Sequence, residues 1–297
     1  MHPAPSVILF SVLSGLGFGL LAYLGLGWAA AAGWAAASGW AAFFWWGLGY
    51  ALAVGGLLAS TFHLGNPQRA LKAFSQWRSS WLSREAWTAV CALVVLAPMA
   101  LSDWLGLGWS RLFGEVGGFL ALLTVFTTSM IYTQIKAVPR WHHWTTPLVF
   151  LTFALAGGAV LAGQVGLARV LLVVLGLGLI GVWRIGDGQF ARRAATLGTA
   201  TGLGGIGQVQ VFEQAHTAGN YLLREMIYVV ARKHAHKLRI IALVCASVLP
   251  ALLLMILPDR VAVIALAAGV HLIGALATRW LFFAEAEHVV GLYYGKR

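Results

Sequence analysis

Long apolar runs alternate with short polar segments along the chain. A run of about 20 predominantly apolar residues is the length that an α-helix needs to cross a bilayer. The sequence predicts eight such spans, at residues 6–27, 40–62, 86–105, 115–135, 146–164, 167–184, 239–257 and 261–283. The strict alternation typical of membrane β-strands is absent from the sequence. We therefore predict an all-α integral membrane bundle of eight transmembrane helices, built as a single membrane domain over residues 1–297.

The composition agrees with this prediction. Hydrophobic residues make up 60% of the chain and charged residues 10%, which excludes a soluble globular, disordered or fibrous protein. The two cysteines, Cys91 and Cys245, each stand alone inside an apolar run. They provide no disulfide framework and no zinc or iron–sulfur site in this chain.

The basic residues orient the predicted bundle. The formal net charge is +11, and with eight spans both termini share one side with loops 2–3, 4–5 and 6–7. That side carries 17 of the 20 Lys and Arg residues, whereas the other side carries Arg111, Arg169 and Arg260. By the positive-inside rule, we expect both termini and the long loop 185–238 to be cytoplasmic.

The second part of the long loop is basic. Asn220 is a plausible helix cap, and apolar residues recur at helical spacing from there to Lys237. A basic amphipathic helix either lies on anionic lipid or docks a partner protein, and the sequence alone does not separate the two. The basic residues assigned to partner docking are Arg224, Arg232, Lys233 and Lys237.

Chemistry-bearing residues concentrate between the second and third spans. No Asp or Glu lies in the middle of a span, which argues against a proton-relay transporter and an acidic-ring channel. His63 closes the second span, and Asn66-Pro67 predicts the start of a short interfacial helix. Ser83 is expected to cap the third span and to place Glu85 in its first turn. His63 and Glu85 would then lie at the same membrane level.

This pair suits a quinone head group. Two electrons enter a quinone together with two protons, and a histidine and a partly buried carboxyl can donate and accept protons near neutral pH. The intervening residues that could contact the head group or a partner are Arg69, Trp77, Arg78, Trp81 and Arg84. In the structural alternatives, His63 is an ordinary interfacial histidine and Glu85 complements the helix dipole.

His271 is the one histidine deep in a predicted span. A heme b buried in a bundle usually needs two histidines at matching depth, and the sequence offers His271 no partner at the midplane. A satisfied bundle histidine is therefore the favoured interpretation. The sequence leaves open a heme nearer the surface with His63 as ligand. No other metal site is expected, because the remaining histidine pairs have no nearby Cys or carboxylate.

The segment HLGNPQRALKAFSQWRSSWLSREA resembles the signature of the membrane anchor subunit of dimethyl sulfoxide reductases. The resemblance extends over the eight predicted spans. The start, MHPAPSVILFSVLSGLGFG, and the loop HTAGNYLLREMIYVVARKHAHKLR are more similar to the branch that anchors a cytoplasm-facing sulfite dehydrogenase. The family's quinone-site His and Glu fall on His63 and Glu85 of this sequence.

The resemblance implies an anchor in the bacterial inner membrane. Such an anchor holds a molybdopterin catalytic subunit and a four-cluster iron–sulfur subunit, here on the cytoplasmic face. It exchanges electrons with the quinone pool, ubiquinone or menaquinone, and typically carries no metal itself. Sulfite oxidation coupled to quinone reduction is the expected function. The alternatives are a quinol-oxidising anchor of a dimethyl sulfoxide-type reductase, a purely structural anchor and a transporter.

Overall fold

The computed structural model describes residues 1–28, 38–62, 64–213, 219–227 and 230–295. Within these ranges all regular structure is helical. In chain order the α-helices are α1 (Pro5–Gly25), α2 (Trp40–Thr61), α3 (Trp81–Leu105), α4 (Leu112–Thr133), α5 (Thr145–Leu161), α6 (Val165–Asp187), α7 (Gln189–Arg192), α8 (Leu197–Thr201), α9 (Tyr221–Glu225), α10 (Ala235–Leu243), α11 (Leu249–Ile256) and α12 (Val261–Ala284). Three short 3₁₀ helices lie between or after them, at Pro67–Phe74, Val230–His234 and Val289–Tyr294.

Seven of the described helical segments are long and apolar enough to cross a membrane. They are α1, α2, α3, α4, α6, the continuous segment Arg232–Ile256 and α12. The fifth predicted span, 146–164, forms α5, which has 17 residues. At about 1.5 Å per residue, α5 is about 25 Å long, shorter than a hydrocarbon core of about 30 Å. The all-helical membrane fold is thus confirmed with seven candidate spans, and the eighth span stays a prediction.

The segment Arg232–Ile256 changes its helical geometry in the middle. α10 passes into one π-helical turn at Val244–Val248 before α11 begins. α12 supports this turn directly, since His271 Nδ1 lies 2.7 Å from the carbonyl oxygen of Ala246. A Cβ added to Gly274 would collide with the backbone of Ala246. The π turn is therefore fixed by close packing of α12.

α1 occupies the centre of the bundle and packs against α2, α4, α5 and α12. Two of its glycines permit this position. A Cβ at Gly17 would collide with the backbone of Ala53 on α2, and a Cβ at Gly19 would collide with the Ala154 carbonyl on α5. Small residues allow backbones to approach each other in lipid, where packing rather than water drives helix association.

Loop contacts define the two ends of the bundle. At one end, Arg111 pairs with Asp103 at 3.7 Å. At the other end, the Met1 amino group donates to the carbonyl of Ala286 at 3.0 Å, just beyond α12. Met1 therefore lies at the same end as the segment that follows α12. The cytoplasmic assignment of that end stays a prediction.

A four-residue ion-pair network closes this second end. Arg140 contacts Asp187 at 2.5 Å and Glu285 at 3.2 Å. Arg239 contacts Glu285 at 2.6 Å and also pairs with Asp187. The two cations and two carboxylates join the α4–α5 loop, α6, α10 and the end of α12. This network holds the start of the segment Arg232–Ile256 against the neighbouring helices.

The long loop differs from its prediction. Asn220 caps a helix as expected, since its side chain accepts a hydrogen bond from the Leu223 N–H at 3.0 Å. That helix, α9, ends at Glu225, so the expected single helix from Asn220 to Lys237 is wrong. The chain becomes helical again in the 3₁₀ turn Val230–His234, and Lys237 belongs to α10, the beginning of the next span.

Candidate functional site

Glu85 lies deeper in its helix than the sequence predicts. α3 begins at Trp81, and its cap is Ser80, whose hydroxyl accepts from the Ser83 N–H at 3.4 Å. Ser83 is therefore not the cap: it lies inside the helix and donates its hydroxyl to the Ala73 carbonyl. Glu85 consequently occupies the second turn, about 6 Å along the axis from Trp81, and is 4% exposed. The helix-dipole explanation of Glu85 loses its basis, because the first turn contains no acidic residue.

A threonine of the neighbouring helix contacts the Glu85 carboxyl. The Oγ1 atom of Thr128 on α4 lies 2.5 Å from Glu85 Oε1 and 2.9 Å from the carbonyl oxygen of Thr124. A hydroxyl has one hydrogen, so it can donate to one of these acceptors at a time. When Glu85 is ionised, Thr128 donates to the carboxylate. When Glu85 is protonated, the carboxyl donates to Thr128, which then donates to Thr124. The contact accommodates both protonation states.

The 3₁₀ helix Pro67–Phe74 packs against the start of α3. The indole N–H of Trp87 donates to the Phe74 carbonyl at 3.0 Å, and their rings meet edge to face. Asn66 occupies the cap position of this helix, but its side chain makes no capping hydrogen bond. The short helix predicted from Asn66-Pro67 is confirmed, with 3₁₀ geometry.

The Arg84 side chain is hydrogen-bonded to the turn that leads into α3. Its guanidinium donates to the carbonyls of Trp77 at 3.0 Å and Arg78 at 2.6 Å. It also lies over the Trp81 ring, with Cζ 4.3 Å from the centroid. Trp81 in turn meets Phe126 of α4 edge to face. Arg84 and Trp81 therefore form a rigid aromatic and cationic border beside the turn that precedes Glu85.

The other basic and aromatic candidates of this segment are exposed. Arg69, Trp77 and Arg78 lie on the surface, and the Arg78 guanidinium lies over the Trp77 ring at 5.4 Å. These side chains can contact a partner or lipid headgroups. His63 lies outside the described residues, so its expected position beside Glu85 stays a prediction.

His271 is 1% exposed in α12. Its Nδ1 contacts the Ala246 carbonyl, whereas its Nε2 has no partner among the described residues. Its ring also meets that of Phe153, at 5.8 Å between centroids. No cluster of three or more His, Cys, Asp or Glu side chains suitable for a metal occurs within the described ranges. The described part of the protein thus provides a hydrogen-bond partner for one of the two ring nitrogens of His271.

The basic residues assigned to docking differ in availability. Arg224, Lys233 and Lys237 are exposed. Arg232 instead pairs with Glu287 at 3.0 Å and is half-buried, so it helps to hold the chain together. Three of the four residues therefore form an accessible cationic surface at the end of the bundle where Met1 lies.

Two buried polar residues escape the sequence analysis. Arg279 is one of the 17 basic residues assigned above to the cytoplasmic side, yet it lies inside α12, five residues before the helix ends, and is 4% exposed. Its position within the predicted span 261–283 was the available signal. Thr128 is the second. The set of threonines at 124, 127 and 128 has a helical spacing that places them toward one face of α4.

Comparisons with known proteins agree with this architecture. The family model described as DMSO reductase anchor subunit (DmsC) matches residues 1–284. The chain is 30% identical to the sulfite dehydrogenase subunit designated C of Allochromatium vinosum, over 99% of each protein. It is 32% identical to the anaerobic dimethyl sulfoxide reductase chain YnfH of Escherichia coli, over 55% of this chain and 57% of that protein.

Proposed function

Because the chain belongs to the DMSO reductase anchor subunit (DmsC) family, we propose that this multi-pass membrane protein is the quinone-reactive anchor of a molybdopterin oxidoreductase. In this proposal the chain passes electrons between an iron–sulfur subunit and the quinone pool. The oxidised substrate is sulfite, as the name of the Allochromatium relative suggests. The chain does not act on the sulfur substrate itself.

The buried contact between Glu85 and Thr128 carries the proposal. A carboxyl that keeps a hydrogen-bond partner in both protonation states can deliver or accept a proton without leaving a buried polar group unsatisfied. It lies about one turn inside the start of α3, within reach of a head group held at the interface. Reduction of a quinone by two electrons consumes two protons, and Glu85 together with His63 would supply them.

The surrounding residues have supporting roles in this proposal. The border formed by Trp81 and Arg84 shapes one side of the head-group site. Exposed Arg69, Trp77 and Arg78 contact the head group or the partner. The quinone's apolar tail extends into the lipid, and the type of quinone, ubiquinone or menaquinone, does not change these roles.

The proposed partners are a four-cluster iron–sulfur subunit and a molybdopterin catalytic subunit. They bind the end of the bundle where Arg224, Lys233 and Lys237 are exposed. We place this end on the cytoplasmic side of the bacterial inner membrane, because it carries most of the basic residues. The terminal cluster then approaches the quinone near Glu85, which lies toward the same end.

A second function follows from the YnfH relative, which is a chain of a dimethyl sulfoxide reductase. The same site would then oxidise quinol, and Glu85 would accept protons instead of donating them. The described residues serve either direction. The substrate that the co-purified catalytic partner turns over, sulfite or a sulfoxide, separates the two.

The test compares two conservative variants of the full chain in its purified complex. Glu85→Gln removes the proton but keeps the shape. We expect quinone-coupled turnover to fall about 10²-fold or more, with normal recovery of the partner subunits and normal reduction of an artificial electron acceptor. Glu115→Gln is the control, because Glu115 is an exposed acid in the first turn of α4. Normal quinone-coupled turnover in Glu85→Gln would overturn the proton role.

A further inference from the structure

Arg279 is a cation buried inside the bundle without an anionic partner among the described residues. Its guanidinium carbon lies 3.5 Å from the centroid of the Phe150 ring on α5. Its Nη1 atom has no hydrogen-bond partner within the same described ranges. An isolated charge at membrane depth is costly, so such residues generally line a water-filled cavity or serve a functional partner.

Arg279 and Thr128 line the same small cavity, whose wall is otherwise mostly apolar. The hydroxyl-bearing residues Ser11 and Ser14 of α1 line it too. Its volume is about 20 Å³, and a water molecule needs at least about 10–15 Å³ together with two to four polar partners. The cavity therefore has the size and lining to hold one or two water molecules, but it cannot admit a quinone ring.

The ion pairs of the described residues leave two buried groups unmatched. Arg140 and Arg239 are balanced by Asp187 and Glu285 in the network at the end of the bundle. Arg279 pairs with no described carboxylate, and Glu85 pairs with no described cation. Thr128 connects the two, because it contacts Glu85 directly and faces the same cavity as Arg279.

We infer that Arg279 is the counter-charge of Glu85. It stabilises the ionised carboxylate through the Thr128 hydroxyl and through water held in the cavity. This inference rests on the proposed function, since it explains how Glu85 can lose its proton in an apolar bundle. Arg279 is a positioning residue, because it acts on Glu85 and does not contact the quinone.

Other titratable and charged groups lie near Arg279 and Glu85, and each has contacts of its own. Tyr132 of α4 interacts electrostatically with both Glu85 and Arg279. His271 lies two helical turns before Arg279 on α12 and contacts Phe153, which lines the cavity. Arg140, Glu285 and Arg279 line a second cavity of about 40 Å³. Arg140 and Glu285 are already paired with each other, so Arg279 is the one described cation that lines the cavity beside Thr128.

The test measures the protonation of Glu85 directly by infrared difference spectroscopy on the purified complex. The carbonyl stretch that disappears in Glu85→Gln identifies the protonated carboxyl. Arg279→Met removes the positive charge, and Arg279→Lys keeps it. We expect the pH titration of this band to move to higher pH by about one unit or more in Arg279→Met, and to stay close to wild type in Arg279→Lys.

Thr128→Val provides a second route if Arg279→Met does not assemble. It removes the hydroxyl that connects the two groups but keeps the volume of the side chain. We expect the band to titrate at higher pH in this variant also. Identical titrations in wild type, Arg279→Met and Thr128→Val would overturn the inference. If instead Glu85→Gln turns over quinone normally, the proposed function fails, whatever the infrared titration shows.

Discussion

The Thr128 hydroxyl of α4 lies 2.5 Å from the Glu85 carboxyl of α3. This is a contact between two helices that pack extensively against each other. The position of the hydroxyl is fixed by α4, while Glu85 is carried by a helix whose start is bound to the 3₁₀ helix Pro67–Phe74. The contact between Glu85 and Thr128 therefore depends on how α3 packs against α4.

Loss of the Thr128 hydroxyl should destabilise the bundle. Thr128→Val leaves the buried Glu85 carboxyl without its described side-chain partner, which costs about 1–3 kcal/mol. Thr152→Val is the control, because the Thr152 hydroxyl bonds the carbonyl of Leu148 in its own helix at 2.7 Å. Unfolding in mixed micelles by titration with dodecyl sulfate measures both changes. Equal stability of the two variants would contradict the structural role of Thr128.

Two adjacent glycines of α2 should respond differently to alanine. A Cβ at Gly56 would lie 3.0 Å from the Phe10 carbonyl oxygen of α1 and closer still to the backbone of Ser14, whereas a Cβ at Gly55 meets nothing within 4 Å. We expect Gly56→Ala to cost about 1–3 kcal/mol through overpacking. Gly55→Ala should be neutral or slightly stabilising, because alanine favours the helix. The same unfolding titration tests the pair, and a smaller cost for Gly56 than for Gly55 would contradict the contact.

The apolar spans were predictable because each transmembrane helix must satisfy its own hydrogen bonds with apolar side chains outward. The ends of the spans were harder to predict. The sequence predicts that the third span begins at residue 86, yet α3 begins at Trp81. Arg84 and Glu85 lower the hydropathy of that turn, so it resembles a loop in sequence although it is helical. The charge of Arg84 is compensated by backbone carbonyls that only the folded turn supplies.

The interior polar residues were harder to predict. Glu85 stands out in the sequence as a carboxyl near a span end, but Thr128 and Arg279 acquire meaning from the helices that pack around them. The contact of Thr128 with Glu85 depends on the rotation of α4 against α3, and the burial of Arg279 depends on Phe150 of α5. No local pattern encodes either relationship. The prediction for His63 lies outside the described residues.

The ion-pair network at the end of the bundle where Met1 lies should contribute more to stability than the Arg169–Asp259 pair at the opposite end. Glu285 is 6% exposed and accepts from both Arg140 and Arg239. Glu285→Gln removes one of the two carboxylates that these partly exposed cations share and leaves them with Asp187 alone. We expect a loss of about 1–3 kcal/mol. Asp259→Asn removes the partner of Arg169, a pair with exposed side chains at 2.9 Å, and should cost less than about 1 kcal/mol. Thermal denaturation in detergent compares them, and a larger loss for Asp259→Asn would refute this ranking.

The last described helix carries a pH-sensitive cap. The Nδ1 atom of His288 accepts from the Val290 N–H at 3.0 Å, which requires a neutral ring at that nitrogen. Burial lowers the pKa of His288 below its ordinary value of 6.5. The unfolded segment therefore binds the proton more readily than the docked one. Stability from this cap is fully present above about pH 6.5 and is lost as the pH falls through the lowered pKa.

The consequence reaches the long loop, because the capped helix Val289–Tyr294 holds it. The Tyr294 hydroxyl accepts from the Asn220 side chain at 3.0 Å, and the Tyr293 hydroxyl donates to the Ala200 carbonyl at 2.9 Å. We expect hydrogen exchange in 289–294, corrected for intrinsic rates, to accelerate between about pH 7.5 and about pH 5.5. This range stays above the pKa of about 5 to which burial lowers the Met1 amino group. His288→Asn keeps an acceptor that does not titrate, so its protection should not change with pH. The same acceleration in the asparagine variant would assign the effect to another group.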